Sequence, residues 1–388
     1  MLLVYCACMS EQRGVSAAFV AMGASSALLP STIPLRANEM GILTNLLLLA
    51  IPFMFLGIFV GIIATPIISS YLKSTTHIRG ALILQGIGVL GVGLQNSLTF
   101  YWASAAILGF GFGQLEVLLT STIRRSFTNV SRALTKFGAY LSLSAFLTPL
   151  LVIVSKYFQF LDLCFISIAI ASIITSFSFT SVNAPENKLS IRNLKIGKKS
   201  TFYLSLASAF YVGAETILSG WSAVYFTQYF PTISESAPLG TSLFWLFLTL
   251  GRFAGIHIRF RADSSKQLLQ IWSTLFAIFS IFLALIANDA NGFVFLFLIS
   301  ATIFCAGPCY GLIIGIAVSL YDKKYAITAS SVYILIGATG GTLIPVIAQW
   351  LGSSDVSNSI LVCAFAATFT ALFVTMSLPS KRATTPQS

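Results

Sequence analysis

The sequence predicts an all-α integral membrane protein, with twelve transmembrane helices in two six-helix bundles and both termini cytoplasmic. Composition is the first observation behind this. Hydrophobic residues make up 56% of the chain and charged residues 9%, at a mean hydropathy of +0.90, whereas a soluble domain carries about 25% charged residues. The second is the recurrence of apolar runs of about 20 residues, the length that crosses a bilayer. The third is one long polar stretch, Asn183 to Thr201, which divides these runs into two equal sets.

In the first set the spans fall near 14–34, 43–70, 80–95, 99–123, 131–155 and 160–181. In the second they fall near 202–230, 237–257, 267–287, 292–320, 325–351 and 358–378. The expected organisation is a cytoplasmic tail at 1–13, a bundle at 14–181, a basic cytoplasmic linker at 182–201, a second bundle at 202–378 and a tail at 379–388. The linker carries Lys188, Arg192, Lys195, Lys198 and Lys199 against one acid, Glu186. The opening residues MLLVYCAC lack a basic region and a small-residue cleavage pattern, so no signal peptide is predicted, and Met9 is a second candidate start.

Charge fixes the orientation. With the amino terminus inside, Arg13, Lys73, Arg79, Arg124, Arg125, Arg132, Lys136, the linker, Arg259, Arg261, Lys266, Lys323, Lys324, Lys381 and Arg382 all lie on the cytoplasmic side. Of 22 Lys and Arg residues, only Arg36 and Lys156 fall outside, with Arg252 left near the inner end of the eighth span. Positive charge retained inside is the rule for membrane helices. The net charge of +11 therefore belongs to connectors, and no nucleic-acid partner is expected. The partners are the lipid bilayer, a small-molecule substrate and protons, and the chain is expected to act as a monomer.

Helix-breaking residues mark where spans bend: Pro30 and Pro34 in the first, Gly307-Pro308 in the tenth, Gly340-Gly341 and Pro345 in the eleventh. Such breaks survive in a membrane where neighbours or water satisfy the freed backbone; many transporter helices carry them beside a central cavity, and a packing kink against small residues is an equal alternative for any single one. The glycines of Gly109-x-Gly111-x-Gly113 have no βαβ context and so do not bind a nucleotide; they let helices approach closely.

Of the eleven acids, only Glu116 in the fourth span and Glu215 in the seventh lie deep within a span. An ionisable side chain at that depth is costly and usually functional. Glu116 shares a face with Gly109, Gly113 and Thr120, and Glu215 with Ser208, Tyr211, Ser219 and Ser222, a polar stripe suited to a wet path. A carboxylate there can take up and release a proton near neutral pH, as a proton-coupled carrier requires. A structural acid held by Tyr211 or Gln114 is the competing interpretation. Trp221 and Tyr211 are candidate substrate contacts, and Arg252, with His257 beside it, is a candidate gate or, more simply, a side chain snorkelling to the interface.

No cofactor and no metal site is expected. Cys305 and Cys309 share a face, but no His or acid joins them, and the six cysteines read as small packing residues. There is no Walker sequence and no constellation of catalytic groups, which argues against ATP-driven transport and against an enzyme.

Taken over nearly its whole length, the chain resembles major facilitator superfamily transporters. The stretch YVGAETILSGWSAVYF at 211–226 is similar to the seventh helix of the fucose-permease-like, sugar:proton symporter branch, and GFGFGQLEVLLTSTI at 109–123 to its fourth. In that branch the fourth-helix glutamate is implicated in proton coupling and substrate contact, a role the resemblance passes to Glu116. This chain has Thr120-Ser121 where the branch often carries Asn, and its first span, GASSALLPSTIPLRANEMG, has no aspartate and looks more like uncharacterised bacterial relatives. The superfamily's loop between helices two and three is degenerate, GIIATPIISSYLKSTTHIRG, whereas LGRFAGIHIRFRADSSKQ keeps Gly251-Arg252 and a basic loop. The resemblance implies a major facilitator fold working by alternating access in a bacterial inner membrane, with a sugar as the favoured substrate. Two rival expectations are a proton-driven exporter of amphipathic compounds and a non-transporting sensor derived from a carrier.

Overall fold

The computed structural model describes residues 2–43, 46–47, 49–94, 97–179, 199–222, 225–226, 237–258, 264–287, 291–352 and 357–377. The expected linker through residue 198, residues 227–236, which include the end of the expected seventh span, and the residues beyond 377 lie outside the described residues. Apart from one short 3-10 turn, Lys323–Tyr325, the regular structure of the described residues is α-helical.

The first helices are α1 (Leu2–Met40), α2 (Ala50–Tyr71), α3 (Ser74–Leu94), α4 (Leu98–Ser126), α5 (Val130–Tyr157) and α6 (Leu161–Phe177). After the linker come α7 (Lys199–Gly220), α8 (Ala237–His257), α9 (Ser265–Ile286), α10 (Gly292–Ala306), α11 (Cys309–Ser319), α12 (Ala326–Gly352) and α13 (Ser357–Ser377). Counting α10 and α11 as one interrupted span, eleven of these helices are long and apolar enough to cross a membrane. The remaining one, α6, is apolar but only 17 residues long, near the lower limit of about 17 residues for a spanning helix.

Several boundaries differ from the sequence-based ones. The expected tail at 1–13 is already helical, because α1 begins at Leu2, although its membrane-crossing window is Gln12–Ile33. The second span starts at Ala50 rather than 43, with Pro52 in its first turn, where a missing N–H is harmless. The third starts six residues early, at Ser74, so His77 and Arg79 belong to a helix and not to a loop. The helix α7 begins at Lys199, inside the expected linker.

Only one of the three expected breaks interrupts a helix. Both α1 and α12 run unbroken past their prolines. In α1 the hydroxyls of Ser31 and Thr32 bond carbonyls one turn back, Thr32 Oγ1 to Leu28 O at 2.9 Å. At Gly307-Pro308 the helix stops and restarts as α11.

The packing order repeats between the two sets. Helix α2 packs on α4, α1 on α5 and α3 on α6; in the second set α8 packs on α10, α7 on α12 and α9 on α13. Across the middle, α5 packs on α8 and α11, while α12 packs on α2 and α4. These pairings are the same once the chain is shifted by six spans, the pattern an internal repeat produces.

Glycines set the closest approaches. Gly109 and Gly113 face the backbone of α2, and Gly111 faces that of α3, so the run predicted to allow close packing does so on two sides of α4 at once. A methyl group at Gly109 would lie 1.9 Å from the Met54 carbonyl oxygen. Overpacking of this kind costs about 1–3 kcal/mol, and Gly109→Ala is expected to lower the thermal midpoint of the purified protein measurably; an unchanged midpoint would mean that α2 shifts freely. Gly251 plays the same part on α8, where a methyl would lie 1.9 Å from Phe304 O.

Candidate functional site

Seating α4 on α2 and α3 through its glycines leaves Glu116 turned toward the second set of helices. There its Oε1 accepts a hydrogen bond from the Tyr310 hydroxyl, in the first turn of α11. Glu215 on α7 accepts from Arg252 Nη2 at 3.3 Å, with the two side chains 18% and 8% exposed. The other guanidinium nitrogen, Arg252 Nη1, crosses back to the first set and donates to Gly138 O of α5 at 2.7 Å. One turn before Arg252, Thr249 Oγ1 donates to Ser142 Oγ of α5 at 2.9 Å.

The two carboxylates lie within electrostatic reach of one another, and Tyr310 lies within reach of Glu116, Glu215 and Arg252 together. Tyr211 is fully buried beneath them. Its hydroxyl donates to Ala306 O at 3.1 Å, a carbonyl at the helix break, and its ring stacks on that of Tyr310 at 6.2 Å. The break thus supplies both an acceptor for Tyr211 and the turn on which Tyr310 is mounted.

Four sequence-predicted residues meet here: Glu116, Glu215, Tyr211 and Arg252. Arg252 does not snorkel; it is 6% exposed and ion-paired. Thr120 is buried one turn along α4, and nothing joins it to the cluster by hydrogen bond among the described contacts. Trp221 lies apart, stacked on Tyr225 at 6.3 Å, six residues beyond Glu215 and so about 9 Å farther along the helix axis. Ser208 is buried against Tyr333 O of α12, and Ser219 and Ser222 bond carbonyls within α7.

Gln114 does not hold either glutamate. Its Oε1 bonds His77 Nε2 at 2.8 Å, and His77 Nδ1 bonds Ser69 Oγ at 2.9 Å, tying α2, α3 and α4 together. Among the described residues no group of three His, Cys, Asp or Glu is placed to hold a metal. Cys305 and Cys309 are buried free thiols, with Cys309 Sγ 3.6 Å from Cys305 O.

Tyr310 was missed in sequence. Its partner is 194 residues away, and one tyrosine among 13 has no local mark; its place immediately after Gly307-Pro308 is the signal that was there to use. Also missed was a reciprocal contact at the ends of α4 and α11. Arg124 donates through Nε to Val318 O at 3.0 Å and through Nη2 to Tyr321 O at 2.7 Å. In return Lys323 Nζ donates to Arg125 O at 2.7 Å. Each set of helices holds the C-terminal end of the other's helix, where unsatisfied carbonyls attract cations.

No protein-family model matches the sequence, and no curated protein matches it either. Solved structures do. The chain is similar to the E. coli fucose:proton symporter FucP at 15% identity and TM-score 0.74, covering 95% of this chain and 98% of that one. It is similar to the proton:xylose symporter XylE at 14% identity and TM-score 0.73, covering 94% of each chain. It is similar to a bacterial homologue of the iron transporter ferroportin, in an outward-facing state, at 12% identity and TM-score 0.75, covering 95% and 99%. Near-complete coverage on both sides leaves no unmatched domain in either partner. The chain has the fold of major facilitator superfamily transporters.

Proposed function

We propose that the protein is a secondary active transporter of twelve spans, built from bundles at 14–181 and 202–378 joined by the basic linker. It moves a small polar solute, a sugar before others, by alternating access coupled to protons. The observation that carries this reading is the middle of the molecule. An acid from each bundle, Glu116 and Glu215, lies at the junction, and each is tied to a group that also touches the opposite bundle. Intramembrane acids in such a place mark proton or substrate paths. Arg252 acts as the gate, joining Glu215 to the Gly138 carbonyl across the bundles. Tyr211, and Trp221 on the neighbouring aromatic layer, are the candidate substrate contacts, with Thr120 beside Glu116.

Both termini are cytoplasmic in this reading, which the basic connectors support. In that orientation the Arg124 and Lys323 contacts close the cytoplasmic end. The fold's fucose- and xylose-transporting neighbours, FucP and XylE, support a sugar as the first substrate class to try. The protein needs no cofactor and acts as a monomer in a bacterial inner membrane.

The test is external pH in lightly buffered, de-energised cells as each member of a sugar panel is added. Transient alkalinisation with one sugar is expected, and it names the substrate. Silence across the panel, with the protein confirmed in the membrane, overturns proton–sugar symport and turns the search to export.

A further inference from the structure

Among the described contacts, Tyr310 is the one side chain in the cluster that bonds an acid of the opposite bundle directly. Arg252 reaches across only to a backbone carbonyl, which does not titrate. The Tyr310 hydroxyl donates to the Glu116 carboxylate. We infer that this phenol is the element through which the charge on Glu116 controls the separation of the two bundles. The inference rests on the proton-coupled reading above and assigns Tyr310 as a positioning residue within it.

The chemistry gives the direction. While Glu116 is ionised, the phenol makes a charge-assisted O–H···O⁻ hydrogen bond, about twice as strong as a neutral one. When the carboxylate binds a proton, no bond breaks in the chain, but the pair becomes neutral. The carboxyl now carries a donor of its own, and the phenol no longer has an anion to hold. Repulsion between Glu116 and Glu215 disappears in the same step. The link across the middle is tight when Glu116 is charged and loose when it is not.

The mounting of Tyr310 fits this use. It sits two residues after Pro308, at the start of a helix of 11 residues, where Gly307-Pro308 interrupts the tenth span. The short helix α11 packs against α5 of the opposite bundle through Gly311 and Gly315, whose added methyls would meet Thr135 and Ser131. A change at the phenol therefore reaches the surface where the bundles touch. The titratable and charged groups around the pair are Glu215 and Tyr211 on α7, Arg252 on α8 and Cys309 beside Tyr310 on α11. Arg252 keeps Glu215 paired, which leaves Glu116 as the acid of the two without a cation bonded to it among the described contacts.

The experiment uses the full chain in lipid nanodiscs, without substrate, carrying spin labels at Tyr71 and Leu320. These are exposed positions at the ends of α2 and α11, in a background with the six native cysteines replaced. Between about pH 8 and about pH 5 the ratio of separated to apposed label distances is expected to change about fivefold to tenfold, the scale set by losing charge assistance in one hydrogen bond. Tyr310→Phe is expected to lose this dependence on pH. Tyr225→Phe, which deletes a more deeply buried phenol bonded to Ser359 within one bundle, is expected to keep it and controls for damage to folding. If Tyr310→Phe retains the wild-type response while Glu116→Gln abolishes it, the role given to Tyr310 is wrong and the proton-coupled reading stands. If the wild-type protein shows no response, or Glu116→Gln keeps it, that reading falls as well.

Discussion

Glu116→Gln is expected to abolish accumulation of the transported solute while leaving downhill movement intact. With a pH gradient of about two units across a proteoliposome, coupling of one proton to one solute sustains about 100-fold accumulation, since each tenfold ratio corresponds to about 1.4 kcal/mol. A carrier that binds no proton equilibrates to a ratio of about one. Glutamine keeps the size and the acceptor oxygen that Tyr310 uses, so the bundles still meet and the solute still crosses. Accumulation and exchange of labelled solute, measured on the same vesicles, separate the two. If Glu116→Gln concentrates the solute near the wild-type limit, Glu116 is not the coupling group.

Arg252→Gln is expected to be among the most destabilising single substitutions in the chain. It leaves Glu215, only 18% exposed, without its cation and removes the donor to Gly138 O. Removing one partner of a buried ion pair costs about 3–5 kcal/mol, largely from the charge left behind. At about 2–4 °C per kcal/mol for a unit of this size, the apparent unfolding midpoint in detergent falls by about 6–20 °C. The double substitution Glu215→Gln with Arg252→Gln removes both charges and is expected to recover most of that loss. Recovery is what distinguishes a buried pair from a guanidinium that merely packs; no recovery in the double variant would show that the Gly138 contact carries the stability.

The helices were legible in the sequence because a bilayer imposes a length and a polarity on each one, and neither requires knowledge of neighbours. The ends were less so. Ser74 to Arg79 reads as a polar connector, yet it is helical because His77 finds Ser69 and Gln114 inside the protein. The depth of Glu116 and Glu215 was likewise readable from apolar context alone. Their partners were not. Tyr310, which donates to Glu116, and Gly138, which accepts from the Arg252 paired with Glu215, come from the opposite set of helices, and no local pattern encodes a contact across half the chain. The stripe on α7 was legible only as spacing. Spacing shows that Ser208, Ser219 and Ser222 lie near one face, but not that they bond carbonyls within the bundle.

The reciprocal contacts of Arg124 and Lys323 have a consequence for how that end of the molecule responds to its surroundings. Their acceptors are peptide carbonyls at Val318, Tyr321 and Arg125, which hold no proton that acidification adds or removes. Mutation can delete such a contact only from its donor side, because every residue type supplies the same carbonyl. Such a fastening keeps its strength through the swings of pH that a proton gradient imposes on one face of a membrane. A change of charge at the centre therefore reaches these carbonyl contacts as movement of the helices, not as a change in the acceptors themselves.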